Sequence, residues 1–422
     1  YHGPVHQDGE TLLALREFFR EVRAADPKFA GVVLVGAFPE AYLVRTVNWR
    51  KRGKPKVNGS VFAEPVHYLR TVPEGVAHTC DLVLADLDGN WERLYTQPRT
   101  ELPSLVGVFP DGVPARGGVP AACERGRRSF EDFFHVDDGH VDVHEFGVAR
   151  VMPLDAIRDE ECSAADRERP NVIARPDILV SRINAHGIAA NRHEERRLLF
   201  EYFERNHGYR TGRLEVPFRP ASLAHDLGSG YRVLQRASEE WSGPPEAGLD
   251  VRGRPQRSEA YAWLERPAIL RTIRAHTSRT GSAFERGWLS GGGVYRRWRT
   301  GAVANDSASF YLHTGCEAIS PANAERKPYL HPAYGRENSA AALLFCAHGL
   351  ALVGRAKVFY DEPRGFCEAL AEGETFGAAW ARYFDIESCA GSWSEVGGDI
   401  GRKRAYFWSV LGDWTLRLRK PG

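Results

Sequence analysis

Residues 29–36 read FAGVVLVG, an apolar run without a polar break that closes on a glycine. A strand exposed on one face alternates apolar and polar residues, so an unbroken β-branched run marks a strand buried on both faces, as in a parallel sheet covered by helices. Just upstream, TLLALREFFREVRAADP places apolar residues at 12, 13, 15, 18, 19 and 22, a helical period that Pro27 ends. The alternation continues through CDLVLADLDG (80–89) and RPDILVSRINA (175–185), the latter followed by the charged helix NRHEERRLLFEYFERN (191–206). It recurs in ERPAILRTIRAH (265–276) and SASFYLHTGC (307–316). Such a chain is expected to be α/β, with a mostly parallel sheet and helices on both faces.

A length of 422 residues accommodates one large α/β domain or two medium ones. The loose stretch EEWSGPPEAGLDVRGRPQRSEA (239–260) suggests two halves, 1–238 and 239–422, the second carrying the reactive strand ends described below. From about 100 to 170 the texture turns to Pro, Gly and charge, as in GVFPDGVPARGGVP (107–120), and a long surface insertion is predicted there. Lys and Arg number 56 against 55 acidic residues, a net charge of +1, so no polyanionic partner is expected. RGRRSF (125–130) and YRRWRT (295–300) read as solvated arginine faces rather than a nucleic-acid site. No run approaches the roughly 18 apolar residues that cross a bilayer. The seven cysteines (Cys80, Cys123, Cys162, Cys316, Cys346, Cys367 and Cys389) include no CxxC pair, which removes the usual zinc and thioredoxin readings. Were six of them paired, one would remain free.

In an open parallel sheet, functional groups gather at the carboxyl ends of the strands, where the loops share one crevice. AILRTIRAH ends at His276 and SASFYLHTGC at Cys316. If the two strands are neighbours, an imidazole and a thiol share an edge. That pair suits nucleophilic acyl transfer, in which a base raises the thiolate fraction and a soft nucleophile attacks a carbonyl carbon. Backbone N–H groups near Gly315 and Cys316 would supply oxyanion donors. The plainer reading of Cys316 is a half-buried structural thiol. His186–Gly187 and His348–Gly349 compete with His276, His348 reading as helical and packed, and His313 reads as packed in its strand or supporting the site.

Acidic clusters offer a separate chemistry. DDGHVDVHE (137–145) gathers Asp137, Asp138, Asp142 and Glu145 with two histidines, and DLDGNWE (86–92) adds Asp86 and Asp88. Carboxylates on glycine-containing turns are candidates for structural calcium, although neither stretch has EF-hand spacing and solvated acidic turns are the simpler reading. The two histidines of the first cluster would also admit a transition metal. The thiol chemistry itself requires no cofactor.

Taken in order, VVLVG (32–36), CDLVLADLDGNW (80–91), RPDILVSRINA (175–185), IRAHTS (273–278), LHTGC (312–316), GETFGAAW (373–380) and VLGDWTLRLR (410–419) resemble the gingipain-type cysteine peptidases of the caspase-like group. The resemblance implies a caspase-like three-layer α/β/α fold of two side-by-side halves, a peptide or protein substrate, and hydrolysis through a thioester. It assigns the base or acid to His276 and the nucleophile to Cys316. Thr277 stands where the family usually has a glycine whose N–H helps form the oxyanion hole. Ala37 stands where an acid is common, leaving Glu40 as the candidate to orient His276. Asp81 falls where arginine-specific members place the aspartate at the base of the S1 pocket, so it would pair bidentately with a basic P1 residue; the alternative is a carboxylate capping a loop. Two other readings are a catalytically silent relative that binds a peptide or partner, and metal-dependent hydrolysis at 137–145. Extracellular or periplasmic location is expected from family habit, the start at Tyr1 and the odd cysteine count.

Overall fold

In the computed structural model, residues 9–39, 42–49, 72–89, 91, 95–96, 133–135, 140–145, 148–153, 176–224, 229–242, 248–253, 255–284, 287–303, 307–319, 337–356, 363–389 and 408–419 are described. The strands in chain order are β1 (Gly31–Val35), β2 (Tyr42–Trp49), β3 (Val72–Thr79), β4 (Tyr95–Thr96), β5 (Phe133–His135), β6 (His140–Glu145), β7 (Val148–Pro153), β8 (Leu179–Ile183) and β9 (Pro220–Ala224). They continue as β10 (Asp250–Arg252), β11 (Leu270–Arg274), β12 (His276–Ser278), β13 (Gly281–Phe284), β14 (Gly287–Ser290), β15 (Ser309–His313), β16 (Gly349–Arg355) and β17 (Trp408–Gly412). The helices are α1 (Gly9–Ala25), α2 (Leu82–Ala85), α3 (Arg192–Thr211), α4 (Ser229–Ser242), α5 (Arg257–Glu265), α6 (Gly291–Arg299), α7 (Ser339–Ala341, continued by a π turn, Ala342–Cys346), α8 (Phe366–Ala371) and α9 (Phe376–Cys389).

Eight strands form the main sheet in the order β1-β8-β17-β16-β15-β11-β9-β10. The pairs β1–β8, β9–β10, β9–β11, β11–β15 and β15–β16 are parallel, and β16–β17 is antiparallel. Side chains alternate between the two faces of each strand. One face sends Leu34, Val180, Phe310, Leu312 and Val353 against Leu12 and Phe19 of α1, Phe366 of α8 and Phe376 of α9. The other sends Ile183, Leu223, Ile273, Tyr311 and Leu352 against Leu198 and Tyr202 of α3, Trp263 of α5 and Val294 of α6. The expected α/β architecture with helices on both faces of a mostly parallel sheet is therefore present. Every residue of β9, β15 and β16 is buried. The FAGVVLVG run lies at the margin instead, as β1 ends the strand order and only Leu34 of its five residues is buried. The two expected halves share this sheet, since β9 lies between β10 and β11 while β17 lies between β8 and β16.

The region read as an insertion contributes ordered structure. A six-stranded second sheet runs β4-β5-β2-β6-β7, with β3 paired to β2, so β5, β6 and β7 all come from the stretch read as a surface insertion. HVDVHE alternates valine with polar residues, a one-sided strand pattern that the surrounding Pro, Gly and charge conceal. Residues 82–85 form a single buried helical turn, too short for periodicity to separate from a strand. Among the described residues Cys80, Cys346 and Cys367 are buried thiols and Cys316 a half-buried one. Among the described residues no helix is long and apolar enough to cross a membrane.

Buried backbone carbonyls at strand and helix ends need donors, and three fully or nearly buried arginines supply them. Arg16 donates to the carbonyls of Asp86 at 2.9 Å and Leu87 at 2.8 Å, and also to Gly89. Arg205 reaches Leu344 O at 2.9 Å and Gly349 O at 3.1 Å. Arg271 donates to Trp263 O at 2.9 Å, to Ser309 Oγ at 3.0 Å and to Arg266 O.

Candidate active site

The register of β11 against β15 decides which loop residues meet. Leu270 lies opposite Phe310 and Ile273 opposite His313, a constant offset of 40 positions (313 − 273). His276 and Cys316 are separated by the same offset (316 − 276) and so stand three residues beyond one row of the ladder. Thr314 N–H donates to Ile273 O at 3.0 Å, carrying the pairing one step past the strand end. Beyond it the two turns touch: a Cβ built on Gly315 would stand 2.1 Å from Thr277 Oγ1 and 2.7 Å from Thr277 Cβ. Glycine at 315 is what lets these turns close. His276 is exposed and Cys316 half-buried at this edge.

His276 opens the hairpin β12–β13, in which His276 faces Ala283, Thr277 faces Ser282 and Ser278 faces Gly281 across the turn residues Arg279 and Thr280. Bonded and non-bonded pairs alternate in an antiparallel ladder, and the pair flanking a two-residue turn is a bonded one. Thr277–Ser282 is thus a non-bonded pair, and Thr277 turns its N–H away from β13. Its side chain points inward, with Oγ1 donating to Ala275 O at 3.1 Å and 3.3 Å from Ser282 Oγ.

Beneath both turns lies His313, fully buried. Its Nδ1 accepts the Gly315 N–H at 3.2 Å, and its Nε2 lies 3.0 Å from Ser282 Oγ. An acceptor at Nδ1 leaves the proton on Nε2, which donates to the serine. Loss of hydration drags the His313 pKa down to about 3, so the ring is neutral. Gly315, expected to offer an oxyanion N–H, directs that N–H to His313 instead. The next residue after the thiol, Glu317, is buried at φ +50°, a left-handed conformation that costs a side-chain-bearing residue roughly 1–2 kcal/mol.

The competing histidines separate clearly. His186 is half-buried with Nδ1 3.7 Å from Glu195 Oε1. Asn338 N–H donates to Gly187 O at 3.1 Å and Ser339 N–H to Arg279 O at 2.7 Å, which ties the end of β8 to the hairpin tip. His348 follows the π turn rather than lying in a helix; it is buried at φ +64°, and its carbonyl accepts from Ser309, the first residue of β15 and the end away from Cys316. Desolvation lowers its pKa to about 3 as well. Glu40 lies outside the described residues.

Asp81 is not an unmatched charge awaiting a ligand. Its Oδ1 accepts from Arg182 Nε at 2.9 Å and lies 2.8 Å from Nη2, and it makes no side-chain cap on α2. Arg182 is matched to Leu411, Leu411 to Leu352 and Leu352 to Tyr311. Three interstrand steps put its Cα about 14 Å from the Cys316-bearing strand.

For a cation, the group among the described residues with suitable spacing is Asp86, Asp88 and Asp177, whose ligand atoms lie within 4.8 Å of one another. Asp86 accepts from Gly89 N–H at 2.9 Å and Trp91 Nε1–H at 3.2 Å. Asp177 accepts from Leu87 N–H at 2.7 Å and Asp88 N–H at 3.2 Å. Burial, then the neighbouring Asp88, push Asp86 up to about 8, and burial raises Asp177 too. Sequence reading paired Asp86 with Asp88 but missed Asp177, which arrives from a different strand approach 89 residues on. Of the other acidic cluster, Asp142 and Glu145 fall on β6, while Asp137 and Asp138 lie outside the described residues.

No protein-family profile matches the chain, and no curated protein matches it. Among solved structures it is similar to the Arg-specific cysteine proteinase gingipain R, at 12% identity over 69% of this chain and 62% of that one, with a TM-score of 0.41. It is similar also to the complex of RgpB pro- and mature domains from Porphyromonas gingivalis, at 13% identity, 58% and 57% coverage and a TM-score of 0.40. A third is caspase-1 from Spodoptera frugiperda, at 10% identity, 47% and 88% coverage and a TM-score of 0.26. The chain spans about three fifths of the two gingipain structures. These solved neighbours are cysteine peptidases of the caspase-like group, but likenesses this slight carry no functional argument, which rests on the edge shared by β11 and β15.

Proposed function

We propose that this chain is a cysteine endopeptidase with His276 and Cys316 as its catalytic pair. The observation that carries the reading is the shared 40-residue offset, which brings an imidazole and a thiol past the same row of a parallel ladder to the point where Thr277 and Gly315 touch.

His276 takes the proton from Cys316 Sγ, and the thiolate attacks the carbonyl carbon of the scissile peptide bond. The tetrahedral oxyanion collapses and expels the amine, which leaves with the proton held by His276, and a thioester remains. His276 then deprotonates a water that attacks the thioester, and the acid product departs as Sγ regains its proton. Thr277 N–H, turned away from β13, and Cys316 N–H are the oxyanion donors this reading uses; Gly315 N–H is engaged by His313. The threonine at 277 is compatible with that role because its side chain is engaged against Gly315 and with Ala275 O. A preference for a basic P1 residue would require Asp81 to exchange Arg182 for the substrate guanidinium.

The test is digestion of a mixed-sequence peptide library by the protein and by Cys316→Ala, with fragments read by mass spectrometry. Cuts made by the parent and lost in the variant are expected. Cuts that persist in Cys316→Ala would refute the nucleophile, and no cuts from either protein would favour a module that only binds peptides. Cuts after Arg or Lys that lose their preference in Asp81→Asn would support the exchange at Asp81.

A further inference from the structure

The turn that carries Cys316 and the hairpin that carries His276 both reach one buried ring. Gly315, in the turn that carries Cys316, gives its N–H to His313 Nδ1. Ser282, facing Thr277 in the hairpin that carries His276, meets His313 Nε2. Thr277 Oγ1 lies 3.3 Å from Ser282 Oγ and packs on Gly315, so the four residues close a circuit around the base of both turns.

We infer that His313 is a positioning residue of the proposed catalytic pair, its ring bridging the Gly315 amide and the Ser282 hydroxyl so that the thiol and the imidazole are held in register. The inference rests on the peptidase reading and extends it to a residue that touches neither substrate nor reacting atoms. The bridge needs the neutral tautomer with its proton on Nε2, since a protonated ring has no acceptor for Gly315 N–H. Burial keeps the ring in that form, so the bridge holds at pH values where an exposed histidine would gain a proton. A displacement of about 1 Å between reacting groups is enough to cost two orders of magnitude in rate, which is the scale on which such a bridge matters.

The experiment uses the intact protein and needs no substrate: the rate of Cys316 alkylation by iodoacetamide, read at that residue by peptide mass spectrometry across pH, alongside the thermal unfolding midpoint. In the parent protein, reactivity is expected to persist below the free-thiol pKa of about 8.5 and to lose that persistence in His276→Ala. Ser282→Ala and His313→Asn both sever the link to the hairpin, the asparagine keeping an acceptor for Gly315. Each is expected to shift the alkylation profile upward by about one pH unit, tenfold in rate at pH 6, and the double variant to shift it no further. A purely structural role would lower the midpoint and leave the profile in place, and that result in Ser282→Ala overturns the inference while the catalytic pair stands. If the parent alkylates as an ordinary thiol and His276→Ala changes nothing, the catalytic pair itself fails and the inference with it.

Discussion

Two polar clusters of this molecule use the same means to different ends. At the carboxyl edge of β11 and β15, a buried neutral histidine and two hydroxyls take up the inward-facing donors and leave Cys316 half-buried and His276 exposed. At the 86–89 turn, three carboxylates converge, Asp86 is sealed inside by Gly89 and Trp91, and Arg16 closes the surrounding carbonyls from α1. In the first cluster His276 and Cys316 keep access to solvent, whereas in the second Asp86 is buried and hydrogen-bonded and Asp88 and Asp177 are exposed. Clustering of polar residues thus says little about chemistry until the fate of each lone pair and N–H is known.

The largest expected effect separates the two regions by function. Cys316→Ala should reduce peptide cleavage by at least about a thousandfold while leaving the urea unfolding midpoint near that of the parent. Arg16→Met should do the reverse, orphaning the Asp86, Leu87 and Gly89 carbonyls at a cost of about 3 kcal/mol in equilibrium unfolding. Its Cys316 alkylation profile should not move in the folded fraction. Should Arg16→Met abolish that profile in folded protein, the two clusters would be coupled and the contrast lost.

A middle-sized effect tests the contact between the two turns. Gly315→Ala drives a methyl group into Thr277, and overpacking of this kind costs about 1–3 kcal/mol. Combining it with Thr277→Gly removes the clashing hydroxyl and methyl, so the pair should recover most of the stability lost by the single variant. Failure to recover would mean that the 275–277 backbone, with Ala275 O 2.8 Å from the new Cβ, is the true obstacle.

The remaining effects are in pH dependence, and they have opposite signs in the two regions. Asp86 titrates at about 8 in the folded protein against 3.8 in the unfolded chain, so the native state binds the extra proton between those values. The stability it contributes is fully present below pH 3.8 and is lost as pH rises through about 8. His313 titrates near 3 when folded and 6.5 when unfolded, so there the unfolded chain binds the extra proton and stability falls as pH drops from 6.5 toward 3. Urea unfolding of Asp86→Asn should therefore show a weaker alkaline decline than the parent, with the acid arm unchanged. Parallel alkaline arms in the two proteins would mean that Asp86 is ionised in the fold.

The candidate pair was legible because its signals are local: two apolar runs that end on a histidine and a cysteine, 40 residues apart. Periodicity and strand-end chemistry are written in neighbouring residues, and a covered parallel sheet follows from them. The six-stranded second sheet was not legible, since its strands are short and set among residues of loop composition. Nor were the partners of Asp81 or Asp86, because Arg182, Asp177 and Arg16 reach them from 70 to 101 positions away. Sequence alone determined the residue types that can act and the sheet edge where they would gather. Tertiary structure alone decided that His313 takes the Gly315 amide, that Arg182 neutralises Asp81 and that FAGVVLVG lies at the sheet margin. Those outcomes depend on strand order, register and desolvation, which arise only when distant segments pack, and no local pattern encodes them.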